Sequence, residues 1–220
     1  MISILMPIYN GIEFIDESIS SIIQQEMTHW ELIIAINGLP VNSNEYQIAK
    51  TYENKYPMHL GKIRVYDMHT IQGKANTLNA MISLCQYDYI AILDVDDIWH
   101  PNKLHCQMPY IDKYDVVGTQ CIYFGDREGT IPSIPLGDIS NIDFFKVNPI
   151  INSSVIIRKE LCYWNENGVE DYDLWVRLCK QNKTFYNCNE VIVKHRLHNA
   201  SAFNAKGNGN KVADMLAQYR

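Results

Sequence analysis

The sequence predicts an α/β domain with a mostly parallel central sheet flanked by helices. In the first 100 residues, short apolar runs alternate with segments of helical periodicity, and the first two runs are joined through a helix as in a βαβ unit. An acidic tetrapeptide, Asp94-Val95-Asp96-Asp97, directly follows the fourth apolar run. Ligands of parallel sheets bind outside the carboxyl ends of the strands, so we expect these carboxylates to face a cleft.

The first half of the chain reads as strands alternating with helices. The predicted strands are 3–9, 30–36, 63–66 and 87–93, and the turn dipeptides Asn10-Gly11 and Asn37-Gly38 end the first two. The first helix is predicted from isoleucines at i, i+4, i+7 and i+8, which are Ile15, Ile19, Ile22 and Ile23. Asp16 and Glu17 in its first turn are expected to be solvated charges that favour the helix dipole. Helices are also predicted over 44–55 and 74–84.

The second half is less regular, and we expect it to form a smaller, mixed subregion. The pattern predicts helices over 101–112, 139–147 and 171–180, and a short helical tail that ends at Arg220. Strands are predicted over 116–124, 153–157 and 184–194. Three prolines bracket the least regular part: Pro132, Pro135 and Pro149.

Composition and charge narrow the class of protein. A chain of 220 residues fits one domain, and 47% hydrophobic with 20% charged residues is ordinary for a soluble globular protein. The formal charge of −6 and the lack of a Lys/Arg cluster exclude nucleic acid as the expected partner. The chain has no basic leader and no apolar stretch long enough to cross a bilayer. We therefore expect a cytoplasmic protein without a membrane span, although a domain of a longer protein would have the same features.

The acidic tetrapeptide is a candidate metal site. Three carboxylates within four residues repel one another, and a hard divalent cation is the simplest way to hold them together. Mg²⁺ or Mn²⁺ bound there would bridge to phosphate oxygens and lower the charge that develops on a diphosphate leaving group. The alternative is an acidic surface turn in which Asp97 starts the next helix.

The acidic segment is one of six motifs whose order along the chain is informative. They are Met6-Pro7-Ile8-Tyr9-Asn10, Glu31-Leu32-Ile33-Ile34, Gly73-Lys74-Ala75-Asn76-Thr77-Leu78-Asn79, Leu93-Asp94-Val95-Asp96-Asp97, Glu170-Asp171-Tyr172-Asp173-Leu174-Trp175-Val176-Arg177-Leu178 and Arg196-Leu197-His198-Asn199-Ala200-Ser201. One accidental acidic motif would not bring the others at compatible spacings. In this order they resemble the motifs of the large family 2 of inverting glycosyltransferases, and the resemblance covers nearly the whole chain.

The resemblance implies a single catalytic domain of the GT-A fold with a Rossmann-like sheet. Residues 1–100 would form the half that binds a nucleotide sugar, 101–200 the half that binds the acceptor, and 201–220 a C-terminal tail. The implied reaction is metal-dependent, inverting transfer of a sugar, of the hexosyltransferase type, from a nucleoside diphosphate to an acceptor hydroxyl. A UDP-sugar is the expected donor, and the acceptor would be a carbohydrate, a lipid-linked molecule or a protein.

The same resemblance implies roles for individual residues on the donor side. Tyr9 would stack on the nucleobase, and Pro7 would line its pocket. Asp94 would face the ribose or the metal, and Asp96 would coordinate the metal. Lys74 is placed where it reaches the donor phosphates, and the alternative is an exposed lysine in the first turn of a helix.

A second acidic pair, Glu170-Asp171, introduces the helix predicted over 171–180. Inverting transfer needs a carboxylate that removes the acceptor hydroxyl proton as the oxygen attacks the anomeric carbon. Asp171 follows the loop 165–168, where a helix N-terminus can face the cleft. With the family resemblance we expect Asp171 to be the base and Glu170 to orient the acceptor. The alternative for Asp171 is an ordinary helix cap.

His198 is the candidate third metal ligand or phosphate contact. It lies in a polar tail, and imidazole suits Mn²⁺ better than Mg²⁺. His195 is the fallback ligand, and a surface histidine is the alternative interpretation. By the family resemblance, Asp97 supports the neighbouring ligands or caps a helix. Three tryptophans are candidates for a sugar-stacking platform, with the last favoured as core by its helical pattern: Trp99, Trp164 and Trp175.

One departure from the family pattern concerns the nucleobase. The family usually carries Asp-Asp-Gly-Ser after the second strand, and its first Asp commonly hydrogen-bonds the base, whereas this chain has Ile36-Asn37-Gly38-Leu39. Ile36 cannot accept that hydrogen bond. Asn37 is the candidate to replace it through its side-chain amide, and we expect relaxed discrimination between bases.

Two other functions remain open on the sequence. A sugar-phosphate nucleotidyltransferase also uses acidic metal ligands, but it needs an early glycine-rich, basic phosphate loop. Met6 to Gly11 has one glycine and no basic residue, which counts against it. A non-catalytic carbohydrate-binding module of the same fold is disfavoured by the intact acidic residues at 94, 96 and 171, and an activity assay distinguishes it.

Overall fold

The computed structural model describes residues 1–59, 61–198 and 208–219, and within them the strands form one nine-stranded sheet. The strands are β1 (Ile2–Ile8), β2 (Trp30–Asn37), β3 (Ile63–Met68), β4 (Tyr89–Ile92), β5 (Ile98–Trp99), β6 (Val116–Gly125), β7 (Gly137–Asp138), β8 (Ile156–Arg158) and β9 (Phe185–Leu197). The order is β3-β2-β1-β4-β8-β6-β9-β5, and β7 pairs with β9. The N-terminal strands therefore make up one half of the sheet and the later strands the other.

Helices flank this sheet. They are α1 (Ile15–Ile23), α2 (Asn44–Lys50), α3 (Tyr52–Lys55), α4 (Lys74–Ile82), α5 (Lys103–Gln107), α6 (Glu170–Lys180) and α7 (Asn208–Ala217). The helix predicted over 44–55 is divided at Thr51, and the one predicted over 101–112 is reduced to α5. In the part of the chain that the structure describes, no helix has the length and apolar character needed to span a membrane.

Strands β1 to β4 pair in parallel, as the sequence predicts. β1 lies between β2 and β4, with Ile4 opposite Leu32 and Ala91, and β3 pairs with the outer side of β2. Every residue of β1 and β2 is buried, because both faces of this part of the sheet are covered. The parallel arrangement brings the carboxyl ends of the strands to one edge of the sheet.

The two faces of the sheet pack into separate hydrophobic cores. Successive side chains of a strand point to opposite faces. On one face Ile4 belongs to a core with Ile19 of α1, and on the other Leu5 belongs to a core with Leu78 of α4 and Trp175 of α6. All five side chains are fully buried, and burial of one aliphatic side chain of this size contributes about 1.5–3 kcal/mol. Helices on both faces are thereby held against the strands whose ends carry the candidate site.

The second half of the chain adds strands of both directions to the sheet. β8 runs antiparallel to β4 and β6, whereas β6 and β9 are parallel, with a register irregularity at Gln120. The helix predicted over 139–147 is wrong, because that segment forms turns. At the start of the segment, the main-chain N–H of Ile139 donates to the main-chain oxygen of Phe185 in β9. Pairing with a distant strand therefore overrides the local helical pattern.

Candidate active site

A cavity of about 840 Å³ lies at the carboxyl ends of the parallel strands. Nine of the side chains that the sequence singles out for the site line it: Pro7, Tyr9, Asn37, Lys74, Asp94, Asp96, Glu170, Asp171 and His198. Pro7 is near the end of β1, Asn37 ends β2, and Asp94 follows β4. The sheet therefore gathers these residues around one space, whereas their individual roles stay predictions.

Lys74 and Asp94 form an ion pair in the cavity wall. Lys74 Nζ lies 2.5 Å from Asp94 Oδ1, and Asn152 Nδ2 donates to Asp94 Oδ2 at 3.2 Å. Burial disfavours both charges, but the carboxylates of Asp94, Glu170 and Asp171 outweigh it and raise the pKa of Lys74. In the same way, Lys74 outweighs burial and lowers the pKa of Asp94. Lys74 is thus a cation of the cavity wall, 35% exposed and paired with Asp94, rather than an unpaired surface lysine.

Gly73 precedes α4 and allows the helix to begin at Lys74. Its backbone has φ 83° and ψ 147°, a conformation that residues with a side chain rarely adopt. A Cβ at this position would lie 2.5 Å from Glu166 Oε1. Glycine therefore allows the chain to turn into α4 beside the loop that precedes α6, with Lys74 as the first helical residue.

Asp96 and His198 meet in the cavity wall although they are 102 positions apart. His198 Nε2 lies 3.0 Å from Asp96 Oδ2. Burial, together with the carboxylates of Asp97 and Asp94, raises the pKa of Asp96, and the hydrogen bond with His198 acts in the opposite direction. The structure thus brings two of the predicted metal ligands into direct contact.

The chemistry of this pair fits a divalent cation that is bound together with a nucleotide. Within residues 1–59, 61–198 and 208–219, no group of three His, Cys, Asp or Glu side chains is arranged to hold a metal ion. Cations in nucleotide sites commonly use one or two protein ligands, and substrate phosphates complete the shell. Asp96 supplies a carboxylate and His198 an imidazole, a combination that suits Mn²⁺. Asp94, whose carboxylate contacts Lys74, remains a predicted ligand.

Asp97 is fully buried and organises the end of β9. Its Oδ2 lies 2.9 Å from His195 Nδ1, and its Oδ1 accepts a hydrogen bond from the main-chain N–H of Arg196 at 2.8 Å. Burial disfavours a charged imidazole, but Asp97 outweighs it and raises the pKa of His195 to about 9. The helix-cap alternative for Asp97 is wrong, because α5 begins only at Lys103, after Asn102. Asp97 instead supports the strand end beside the predicted metal ligands.

Glu170 and Asp171 are the first two residues of α6 and line the same cavity. The residue before the helix is Val169, whose side chain makes no capping bond, whereas Asp171 Oδ1 accepts a hydrogen bond from the main-chain N–H of Tyr172 at 2.7 Å. Asp171 therefore also stabilises the first turn of α6, as the cap alternative expects. Burial, reinforced by the charge of Glu170, raises the pKa of Asp171 to about 6, against the opposing effect of Lys74. A carboxyl group with this pKa is ionised yet basic near neutral pH, as a general base requires.

A third acidic residue of α6, Asp173, lies in the protein interior. Its Oδ2 accepts a hydrogen bond from Asn165 Nδ2 at 2.8 Å, and its Oδ1 accepts one from Tyr219 Oη at 2.9 Å. These bonds connect α6 to the preceding loop and to the residues after α7. Asp173 is fully buried and does not line the cavity, so it is not a candidate base.

The predicted nucleobase pocket combines an exposed ring with a buried amide. Tyr9 is 59% exposed, which is unusual for a large aromatic side chain and suits stacking on a flat ligand. Asn37 is buried but lines the cavity. Ile36 is 1% exposed and belongs to the hydrophobic core. The position that carries an acidic residue in the family pattern therefore offers no polar side-chain atom to a base.

The sequence analysis assigned no individual role to several residues that line the cavity. Asn152 contacts Asp94 from the segment before β8, and Arg196 contacts the acidic loop from β9. Apolar lining comes partly from the proline-bracketed loop and the two residues after it, which have no periodicity to reveal them: Pro132, Ile134, Ile150 and Ile151. The proposed sugar platform is wrong, because its members are core residues at most 2% exposed: Trp99, Trp164 and Trp175.

Comparison with known proteins agrees with this geometry. The chain matches Glycosyl transferase family 2 over residues 3–162. It belongs to this family. Among curated relatives, the O-antigen biosynthesis glycosyltransferase WbnJ of Escherichia coli is 28% identical over 91% of this chain and 81% of WbnJ. These matches support glycosyltransferase function.

Solved structures share the GT-A fold. TarS 1-349 of S. aureus in complex with UDP-GlcNAc has a TM-score of 0.76 and 16% identity, covering 99% of this chain and 64% of its own. The mannosyltransferase PcManGT of Pyrobaculum calidifontis, in complex with GDP-Man and Mn²⁺, has a TM-score of 0.73 and 14% identity, covering 99% of this chain and 62% of its own. This chain thus spans less than two thirds of either protein, and at these identities the likeness shows the fold alone.

Proposed function

We propose that this glycosyltransferase moves a sugar from a UDP-sugar to an acceptor hydroxyl, with inversion at the anomeric carbon and with bound Mn²⁺ or Mg²⁺. The acceptor is a carbohydrate, a lipid-linked molecule or a protein. One observation carries the proposal: the same cavity is lined by Lys74, Asp94, Asp96 and His198 and by Asp171. The first group suits a diphosphate and its cation, and a carboxyl of raised pKa suits proton removal.

On the diphosphate side, Asp96 and His198 would hold the cation, which neutralises charge on the leaving diphosphate when bound. Lys74 contributes a fixed positive charge next to the same carboxylates. Tyr9 stacks on the base, and Asn37 offers its amide to the base edge. UDP-GlcNAc in TarS and GDP-Man with Mn²⁺ in PcManGT are both compatible with the fold, so local contacts select the donor.

On the acceptor side, Asp171 removes the hydroxyl proton, and Glu170 orients the acceptor. The oxygen attacks the anomeric carbon from the face opposite the leaving diphosphate, so a single displacement inverts the configuration. The raised pKa of Asp171 supports this role, because the ionised form is then a stronger base than an ordinary aspartate.

A donor screen tests the proposal. UDP- and GDP-sugars are incubated with Mn²⁺, Mg²⁺ or EDTA, with and without oligosaccharide and lipid-linked acceptors, and nucleoside diphosphate release is measured. We expect metal-dependent release and a product whose anomeric configuration is inverted by NMR. Full activity in EDTA would exclude the metal role, and a retained configuration would exclude Asp171 as the base. Nucleotide-sugar binding without turnover of any donor would favour a non-catalytic binding module.

A further inference from the structure

Arg196 lines the cavity but has no part in the proposed chemistry. Its Nε donates a hydrogen bond to the main-chain oxygen of Asp96 at 2.9 Å, and its Nη2 donates one to Glu17 Oε2 at 2.8 Å. Its own main-chain N–H donates to Asp97 Oδ1 at 2.8 Å. One residue thus contacts both Asp96 and Asp97 and ties them to α1.

Two aromatic rings enclose the guanidinium of Arg196. Its Cζ lies 4.3 Å from the ring centroid of Phe14 and 4.2 Å from that of Phe124. The Arg196 side chain is 13% exposed, so little water competes for its hydrogen bonds. A planar guanidinium can stack between rings and donate in fixed directions at the same time, whereas a lysine ammonium cannot.

Phe14 links this arrangement to the other predicted metal ligand. Its ring centroid lies 5.4 Å from that of His198, with the two planes tilted by 46°. Phe14 therefore contacts both Arg196 and the imidazole that faces Asp96. Glu17 is 56% exposed, as the sequence predicts for a solvated charge, and it is also the carboxylate partner of Arg196. The start of α1 becomes part of the support of the site.

We propose that Arg196 is a positioning residue that holds Asp96 and His198 in the arrangement that a cation–diphosphate complex requires. It fixes the main chain of Asp96 directly and confines His198 through the shared contact with Phe14. This role rests on the proposed metal-dependent transfer. It assigns function to Arg196, Glu17 and Phe14, none of which has to touch the substrate.

The decisive variant is Arg196→Lys, which keeps the charge but loses the stacking plane and the paired donors. Mn²⁺ affinity in the presence of UDP is measured by titration with electron paramagnetic resonance, alongside kcat and the thermal unfolding midpoint. We expect Mn²⁺ affinity or kcat to fall about 10–100-fold, the range found when residues that orient metal ligands are removed.

The matched control is Arg64→Lys. Arg64 also combines a carboxylate partner, Glu31 at 2.5 Å, with a main-chain partner, the oxygen of Leu84 at 2.9 Å, but it does not line the cavity. We expect this variant to lose as much stability as Arg196→Lys while Mn²⁺ affinity and kcat stay at the wild-type level.

A second variant keeps the test decisive if Arg196→Lys does not fold. Glu17→Gln retains an acceptor for the guanidinium but loses the charge, and we expect a loss of about 2–5-fold in Mn²⁺ affinity, the scale of a partly exposed ion pair. Wild-type Mn²⁺ affinity and kcat in folded Arg196→Lys would overturn the positioning role alone. If Arg196→Lys does not fold, the same result in folded Glu17→Gln would overturn it. A wild-type protein whose UDP binding does not respond to Mn²⁺ would overturn the proposed function, and this role with it.

Discussion

Asp94 and Asp171 are carboxylates of the same cavity, and both are influenced by Lys74, yet their acidities move in opposite directions. Asp94 contacts the ammonium at 2.5 Å, and its pKa is lowered despite burial. Lys74 lowers the pKa of Asp171 through a longer-range charge interaction. Burial and the adjacent Glu170 outweigh this effect and raise the pKa to about 6. Burial opposes the ionisation of both carboxyl groups, so it is direct contact with the Lys74 ammonium that keeps Asp94 ionised, while Asp171 without that contact is the more basic group.

Contact with a basic side chain divides the acidic residues in and beside the cavity into two groups. We call Asp94, Asp96 and Asp97 the strand-end carboxylates, and each of them has a basic partner, namely Lys74, His198 and His195. Glu170 and Asp171 form the helix pair, in which two like charges are neighbours. When nearby carboxyl groups have different pKa values, one can remain ionised while another exchanges a proton. Substitutions in the two groups should therefore fail in different ways.

The largest effect is expected from Asp96→Asn among the strand-end carboxylates. Loss of the metal ligand should remove several kcal/mol of stabilisation of the leaving diphosphate, which corresponds to a fall in turnover of about 10³-fold or more. Circular dichroism should show a folded protein. Asp138→Asn on β7 is the control and should keep its activity. Turnover within tenfold of wild type would remove Asp96 from the metal site.

A similarly specific but smaller loss is expected from Asp171→Asn in the helix pair. General-base catalysis contributes about 10²–10⁴-fold, so kcat should fall in that range while donor KM and UDP affinity remain close to wild type. Asp173→Asn, in the same helix but buried, should lower stability more than kcat. Near-normal transfer by Asp171→Asn would reject the assignment of the base.

The pH profile sharpens the comparison further. Asp171 must be ionised to accept a proton, so kcat/KM should fall about tenfold per pH unit below the pKa of about 6 and level off above it. Stability has the opposite sign: because the folded pKa of about 6 exceeds the ordinary 3.8, stability falls as the pH rises from about 3.8 to about 6 and stays level above that. Asp171→Asn should therefore unfold at a higher temperature than wild type at pH 8. A lower unfolding temperature would contradict the strained environment of this carboxylate.

A moderate effect on binding is expected from Tyr9→Ala. If a base stacks on the exposed ring, the loss in nucleotide affinity should be about 1–3 kcal/mol, measured by calorimetry. Tyr163 is nearly as exposed, at 58%, but does not line the cavity, so Tyr163→Ala is the matched control. Equal affinities for the two variants would remove Tyr9 from the nucleotide site.

The smallest effect concerns the base itself. Because Ile36 is buried and has no polar side-chain atom, the base loses one hydrogen bond of about 0.5–1.5 kcal/mol relative to the family pattern. UDP and GDP affinities should then differ by less than about tenfold in calorimetry. A strong preference for UDP would mean that Asn37 or another group reads the base.

The sequence alone determined the parallel half of the fold and identified several residues that line the cavity. Apolar runs and isoleucine spacing reveal β1, β2 and α1, because burial on both faces of a parallel sheet leaves a local pattern. Polar residues that follow such strands necessarily meet at one edge of the sheet. For this reason Asp94 could be placed beside a cavity from the pattern alone, whereas Pro7 and Asn37 were assigned to it through the family resemblance.

The tertiary structure alone decided the contacts that give these residues their chemistry. Asp171 and Asp173 lie two positions apart in one helix, yet the first lines the cavity and the second is bonded to Tyr219 in the interior. The pairing of Glu17 with Arg196 spans 179 positions. Partners so distant leave no periodic signal, and the ionisation of a carboxyl depends on the burial and the charges that they provide.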